Sequence, residues 1–177
     1  MSSLSGPASS GASDVSDVSD ASVPRLAIIG CGNPARSDDG AGIEVIRLLA
    51  RQTCSGDVRL IDAGTSGMDV MFRVRGVKRV VIIDACRSGA QAGAIFRLPG
   101  REAMTPTEHG FSQHGLRWDH ALYAGCKMFG DAFVDGTEVF LIEAGALDFG
   151  LELSAPVQRA AEQVAALLAP DLMAHHG

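Results

Sequence analysis

Within KRVVIIDA at 78–85, the four residues Val80 to Ile83 are all apolar, with no polar residue between them. A strand with one wet face alternates apolar and polar side chains. A run without alternation suits a strand buried on both faces, as in a parallel sheet covered by helices. RLAIIG at 25–30 has the same character. Strands of this kind oblige the chain to supply helical layers on both sides, and the α/β class follows.

The intervening segments meet that requirement. GIEVIRLLARQ at 42–52 puts Ile43, Ile46, Leu49 and Ala50 on one helical stripe, which gives a β-α start. DVRLIDAG at 57–64 reads as a second strand, GMDVMFRVRG at 67–76 as a short helix, and 78–85 as the third strand. Only nine residues without a helix separate Asp84 from AIFRLP at 94–99, too few for an ordinary parallel crossover. The fourth strand is therefore expected to be antiparallel. A polar loop at 99–111 leads to a helix N-capped by Ser112, with Leu116, Tyr123, Cys126 and Phe129 or Met128 toward the core. TEVFLIEAG at 137–145 is the fifth strand, and Ser154 N-caps a last helix bearing Val157, Ala161, Val164 and Leu168. The expectation is one domain over 25–170: a three-layer α/β/α sandwich around a five-stranded, mostly parallel mixed sheet.

The flanks differ in composition. Residues 1–24 are rich in Ser, Gly, Ala and Asp, with no apolar core of a signal peptide, and read as a disordered tail; 171–177 read as a flexible one. A net charge of -6 argues against a nucleic-acid partner, because nonspecific affinity for phosphate backbones comes from clustered Lys and Arg. No apolar run reaches the roughly 18 residues of a membrane span, so no membrane partner is expected. The four cysteines lie far apart, which suits reduced thiols in a soluble cytoplasmic protein.

The chemistry concentrates in GCGNPARSDDGAGIEVI at 30–46. Gly30-x-Gly32 after a buried strand resembles a dinucleotide-binding turn, but the third glycine falls on Ala35 and Pro34 removes a backbone donor. Asp38 and Asp39 would also repel a pyrophosphate. One acid suffices to cap a helix, which leaves the second free to ligate at the C-terminal edge of the sheet. Asp62 and Asp84 end the second and third strands; DAGTSG lets Asp62 accept hydrogen bonds from its own turn, a structural role. With strands ordered 2-1-3, Asp39 and Asp84 would line the two sides of the crevice at the switch point. His109, His114 and His120 lie in or near the helix that follows the loop, and an Asp, Asp, His set would suit a divalent transition metal. No Ser, Cys or Thr is paired with a His as a nucleophile would be, and Cys31 and Cys86 read as small buried fillers.

Five blocks in unbroken order, GCGNPARSDDGAGIEVIRLL, LIDAGTSGMDVM, VVIIDACRSGAQAGAIFRL, FSQHGL and LELSAPVQRAAEQV, resemble the hydrogenase maturation proteases over about residues 26–169. The resemblance implies a phosphorylase/hydrolase-like α/β/α fold with an antiparallel fourth strand. It implies an endopeptidase that removes a C-terminal peptide from the nickel-loaded precursor of a nickel-iron hydrogenase large subunit. A hydrogenase assembly chaperone is a further partner of that activity. The family's nickel-binding positions fall on Asp39, Asp84 and His114, the nickel being supplied by the substrate. Asp39 stands where family members often have Glu, and Ala63 where Gly is frequent; Glu143 takes no role from the resemblance. The alternative carried by the same residues is a noncatalytic module that senses a nickel-loaded partner.

Overall fold

The computed structural model describes residues 23–106 and 117–174, the side chains of Met68 and Asp69 excepted. The expected N-terminal tail therefore lies outside the described residues up to position 22, as do His109, Ser112, His114 and Leu116.

Strand β1 (Leu26–Cys31) is buried at every position. It pairs in parallel with β2 (Val58–Gly64) on one side and β3 (Arg79–Cys86) on the other. β3 pairs in parallel with β5 (Thr137–Glu143), and β4 (Ile95–Pro99) closes the edge antiparallel to β5. The order β2-β1-β3-β5-β4 makes the expected five-stranded mixed sheet, reversed at the strand whose connection is too short to cross over.

Two apolar layers flank the sheet. On one face, α1 (Ala41–Leu49) and α6 (Ala155–Leu168) bury Val45, Leu49, Val157, Ala161, Val164 and Leu168 against Ile28, Val81 and Ile83. On the other, α2 (Gly67–Arg73) and α4 (Trp118–Phe129) cover Ala27, Ile29 and Ile82 with Val70, Trp118 and Leu122. Short helical turns α3 (Gly100–Ala103) and α5 (Ala132–Asp135) flank β4 and β5. The α3 turn occupies the start of the stretch read from sequence as a polar loop.

Three details depart from the sequence reading. Ala50 is exposed beyond the end of α1, and Val45 takes its place in the stripe. In α4 the core face is Trp118, Ala121, Leu122 and Gly125, while Tyr123, Cys126 and Phe129 are half-buried and Met128 is exposed. Small residues let the helix approach closely but carry little hydropathy, so the larger side chains misled the phase. The packed fold also runs past residue 170: Leu172 is fully buried, its carbonyl accepts the Ser55 N–H at 3.0 Å, and Asp171 pairs with Arg79 at 2.8 Å. The packed fold thus extends at least to Leu172.

Candidate active site

The last parallel pair of β1 and β3 is Gly30 with Ile83, so Cys31 and Asp84 emerge side by side at the C-terminal edge of the sheet. At the same level the register with β2 slips between Gly30 and Cys31, where Ala63 of β2 is the extra residue, and pairing resumes as the Gly32 N–H reaches the Gly64 carbonyl at 2.8 Å. The chain then enters a tight turn. A side chain at Gly32 would stand 1.8 Å from the Asp39 carbonyl, at a φ of +121° that favours glycine. The glycines of the motif thus serve close backbone approach. A Cβ on Gly42 in α1 would lie 2.3 Å from the Ile83 carbonyl and 2.5 Å from that of Cys31, so α1 rests directly on the strand ends.

Between them, a single 3-10 turn at Ser37–Gly40 carries the two acids. Neither caps α1, whose N-cap is Gly40. Asp38 points into the molecule and is fully buried. Its Oδ2 accepts the N–H groups of Gly145 and Ala146, both at 2.8 Å, and the Ser154 hydroxyl at 2.9 Å; Oδ1 accepts the Ser154 N–H at 2.7 Å. Burial pushes its pKa up, but these hydrogen bonds more than offset it and the net shift is downward. Ser154 therefore sits at the N-cap of α6 with its hydroxyl committed to Asp38 and not to its own helix.

Asp39 faces the other way, into a cleft of about 180 Å³ lined by Cys31, Gly32, Asp84, Arg117 and Trp118 and by the backbone turn from Gly64 to Gly67. This is smaller than the roughly 300–1,000 Å³ that encloses a drug-sized ligand, which further disfavours a dinucleotide. Asp39 Oδ2 accepts the Asn33 N–H at 3.1 Å. Asp84 Oδ1 accepts the N–H of Ala85 at 2.9 Å, and Oδ2 accepts the indole N–H of Trp118 at 2.6 Å. Burial pushes the Asp84 pKa up to about 6, and the nearby Asp39 charge pushes in the same direction, while the Trp118 and Ala85 hydrogen bonds oppose it.

The remaining candidates sort by geometry. Asp62 accepts the Gly64 N–H at 3.0 Å, the turn-stabilising role expected of it. Glu143, at the end of β5, accepts the Ser88 N–H and hydroxyl and the Gly89 N–H, and so ties down the connection from β3 to β4. Those bonds, led by the Ser88 N–H, hold its pKa down at about 2. Burial raises the Cys31 thiol well above its ordinary range, and burial with the Glu143 contact pushes Cys86 up to about 12. Neither thiol is poised as a nucleophile. His120 does not line the cleft. Among the described residues no three His, Cys, Asp or Glu side chains form a metal-holding group; His109 and His114 lie outside those residues. Local motifs do not point to Trp118, whose hydrogen bond to Asp84 crosses 34 positions of the chain, or to Arg117, which lines the same cleft.

A family model described as hydrogenase maturation protease matches residues 43–170. A protein of Methanocaldococcus jannaschii bearing a provisional hydrogenase maturation protease name is 29% identical over 93 residues, covering 51% of this chain and 60% of its own. The hydrogenase expression/formation protein HupD of Thiocapsa roseopersicina is 33% identical over 80 residues, 45% of this chain and 36% of its own. The chain thus spans less than two thirds of each of these relatives. Among solved structures, the [NiFe] hydrogenase maturation protease HycI of Thermococcus kodakarensis KOD1 superposes with a TM-score of 0.66 at 21% identity, over 85% of this chain and 93% of that one. The hydrogenase maturating endopeptidase HybD of E. coli gives 0.65 at 22%, over 83% and 93%. These likenesses establish the fold.

Proposed function

The chain belongs to the hydrogenase maturation protease family, and we propose that it is an endopeptidase that removes a C-terminal peptide from the nickel-loaded precursor of a nickel-iron hydrogenase large subunit. The observation that carries this reading is the shared cleft of Asp39 and Asp84 at the switch point between β1 and β3. Open α/β sheets bind their ligands there. Two carboxylates facing one small cavity repel each other and gain when a cation joins them.

The nickel arrives with the precursor, as part of the substrate. Asp39 and Asp84 offer it oxygen donors, and His114 completes the set as a nitrogen donor from the segment preceding α4. Bound there, the metal would supply Lewis-acid polarisation of the scissile carbonyl or an activated water. The residues of this chain hold and orient: Asn33 fixes the Asp39 carboxylate, Trp118 fixes that of Asp84, and Arg117 sets a positive charge at the rim. Docking then depends on the metal, and processing waits until nickel has been inserted. An assembly chaperone that escorts the precursor, and a cytoplasmic setting, belong to the same proposal. No helix among the described residues is long and apolar enough to cross a membrane.

Intact-mass analysis of a large-subunit precursor, with and without nickel, before and after addition of this protein, tests the proposal. Loss of one discrete C-terminal peptide from the nickel-loaded sample alone is the expected result. Nickel-dependent binding without a mass change would replace the peptidase by a sensing module, and no response to a verified nickel-loaded precursor would overturn the reading.

A further inference from the structure

Asp84 reaches the cleft on a short side chain whose terminal torsion has a broad, roughly two-fold profile, so the plane of its carboxylate is set by its partners. The N–H of Ala85 engages Oδ1 at 2.9 Å. Acting alone, that bond would let the group pivot about one oxygen. The indole of Trp118 supplies the second constraint, 2.6 Å from Oδ2. Trp118 is only 6% exposed and is anchored among Ala27, Ile29 and Leu122 in the apolar layer beneath the cleft. The indole N–H has little water to turn to, and an indole accepts no hydrogen bond through its nitrogen. It can orient Asp84 but cannot compete with it for a cation.

We propose that Trp118 is a positioning residue, which fixes the plane of the Asp84 carboxylate so that its remaining lone pairs face the cleft and Asp39. The inference rests on the metal-docking reading of Asp84 given above. Partners that orient a metal-binding side chain typically change metal affinity or activity by about 10–100-fold when removed. Trp118 is the only tryptophan of the chain, so its indole gives one isolated signal from inside the site.

The experiment compares wild type, Trp118→Phe and Asp84→Asn, each as the full chain. Phenylalanine keeps an aromatic ring in the apolar layer and deletes only the donor and part of the ring. In the wild type, the single indole N–H resonance is expected to shift on Asp84→Asn and to broaden at the first additions of Ni²⁺. Trp118→Phe is expected to weaken Ni²⁺ binding, measured by calorimetry, at least tenfold, and to lower kcat on the nickel-loaded precursor by a similar factor with a smaller effect on KM. Its circular dichroism should stay unchanged. Equal Ni²⁺ affinity and equal kcat in wild type and Trp118→Phe would overturn the positioning role while leaving the peptidase reading intact. An indole resonance indifferent to both Asp84→Asn and Ni²⁺ would do the same even if Trp118→Phe failed to fold. Wild type that neither binds Ni²⁺ nor processes the precursor would overturn both.

Discussion

Asp38 and Ser154 stand 116 positions apart and share two hydrogen bonds, from the Ser154 N–H to Oδ1 at 2.7 Å and from the Ser154 hydroxyl to Oδ2 at 2.9 Å. With Gly145 and Ala146 on the same carboxylate, the whole connection from β5 to α6 hangs on the residue next to Asp39. The paired acids of the motif thus divide their work: one locks the scaffold and the other faces the cleft.

Asp38→Ala leaves the N–H groups of Gly145, Ala146 and Ser154 and the Ser154 hydroxyl without their shared acceptor. A loss of about 1.5–3 kcal/mol of unfolding free energy is expected, the typical contribution of hydrogen bonds to a charged group. Urea denaturation measures it. Ser154→Ala combined with Asp38→Ala should cost less than the sum of the two single changes, because both remove the same contacts. Strict additivity would contradict the network.

Asp84 makes stability depend on pH in one direction. Its pKa rises from 3.8 unfolded to about 6 folded, so ionising it in the native state is penalised. The penalty begins as pH rises through 3.8 and is complete above 6. Relative to wild type, metal-free Asp84→Asn should therefore gain about 1–3 kcal/mol between pH 4 and pH 7. Unfolding curves at the two pH values check the sign, and a relative loss would refute the assignment.

Asp38 and Glu143 act in the opposite sense. Hydrogen bonds depress both pKa values, so their stabilisation is present above the ordinary carboxylate values of 3.8 and 4.5 and fades as pH falls, for Glu143 toward about 2. Glu143→Gln should flatten the acid limb of the stability profile. It should also speed hydrogen exchange of the Ser88 and Gly89 amides, which the carboxylate now accepts. Unchanged exchange at both amides would remove the anchoring role.

Gly42→Ala would bring a methyl group within 2.3 Å of the Ile83 carbonyl and 2.5 Å of the Cys31 carbonyl. Both are strand backbone and neither can turn aside. A loss of about 3 kcal/mol or more, or failure to fold, is expected from overpacking at such a site. Thermal melting with near-wild-type stability would mean that α1 can lift off the strand ends.

Thiol chemistry should be irrelevant to turnover. Cys31 borders the cleft, yet its pKa is raised well above the ordinary range by burial and by the Asp84 charge. Cys31→Ala should process the precursor within about threefold of wild type, and iodoacetamide at neutral pH should not inhibit, because only the thiolate reacts. Inhibition that tracks modification of Cys31 would reopen a thiol mechanism.

The sheet was legible because burial on both faces leaves an unmistakable trace in runs such as Val80 to Ile83, and the reversed fourth strand because nine residues cannot make a crossover. The meeting of Asp39 and Asp84 followed from strand order alone, since a 2-1-3 arrangement brings the ends of β1 and β3 together. What the sequence left open was direction and partnership. Asp38 and Asp39 are chemically identical neighbours; only the 3-10 turn, which points one inward and one outward, separates their roles. Glu143 acquires its purpose from Ser88 across 55 positions and Asp84 its orientation from Trp118 across 34. Periodicity and local motif record which face of an element meets the core. They carry no record of a hydrogen bond between distant residues, because that geometry exists only once the layers have packed.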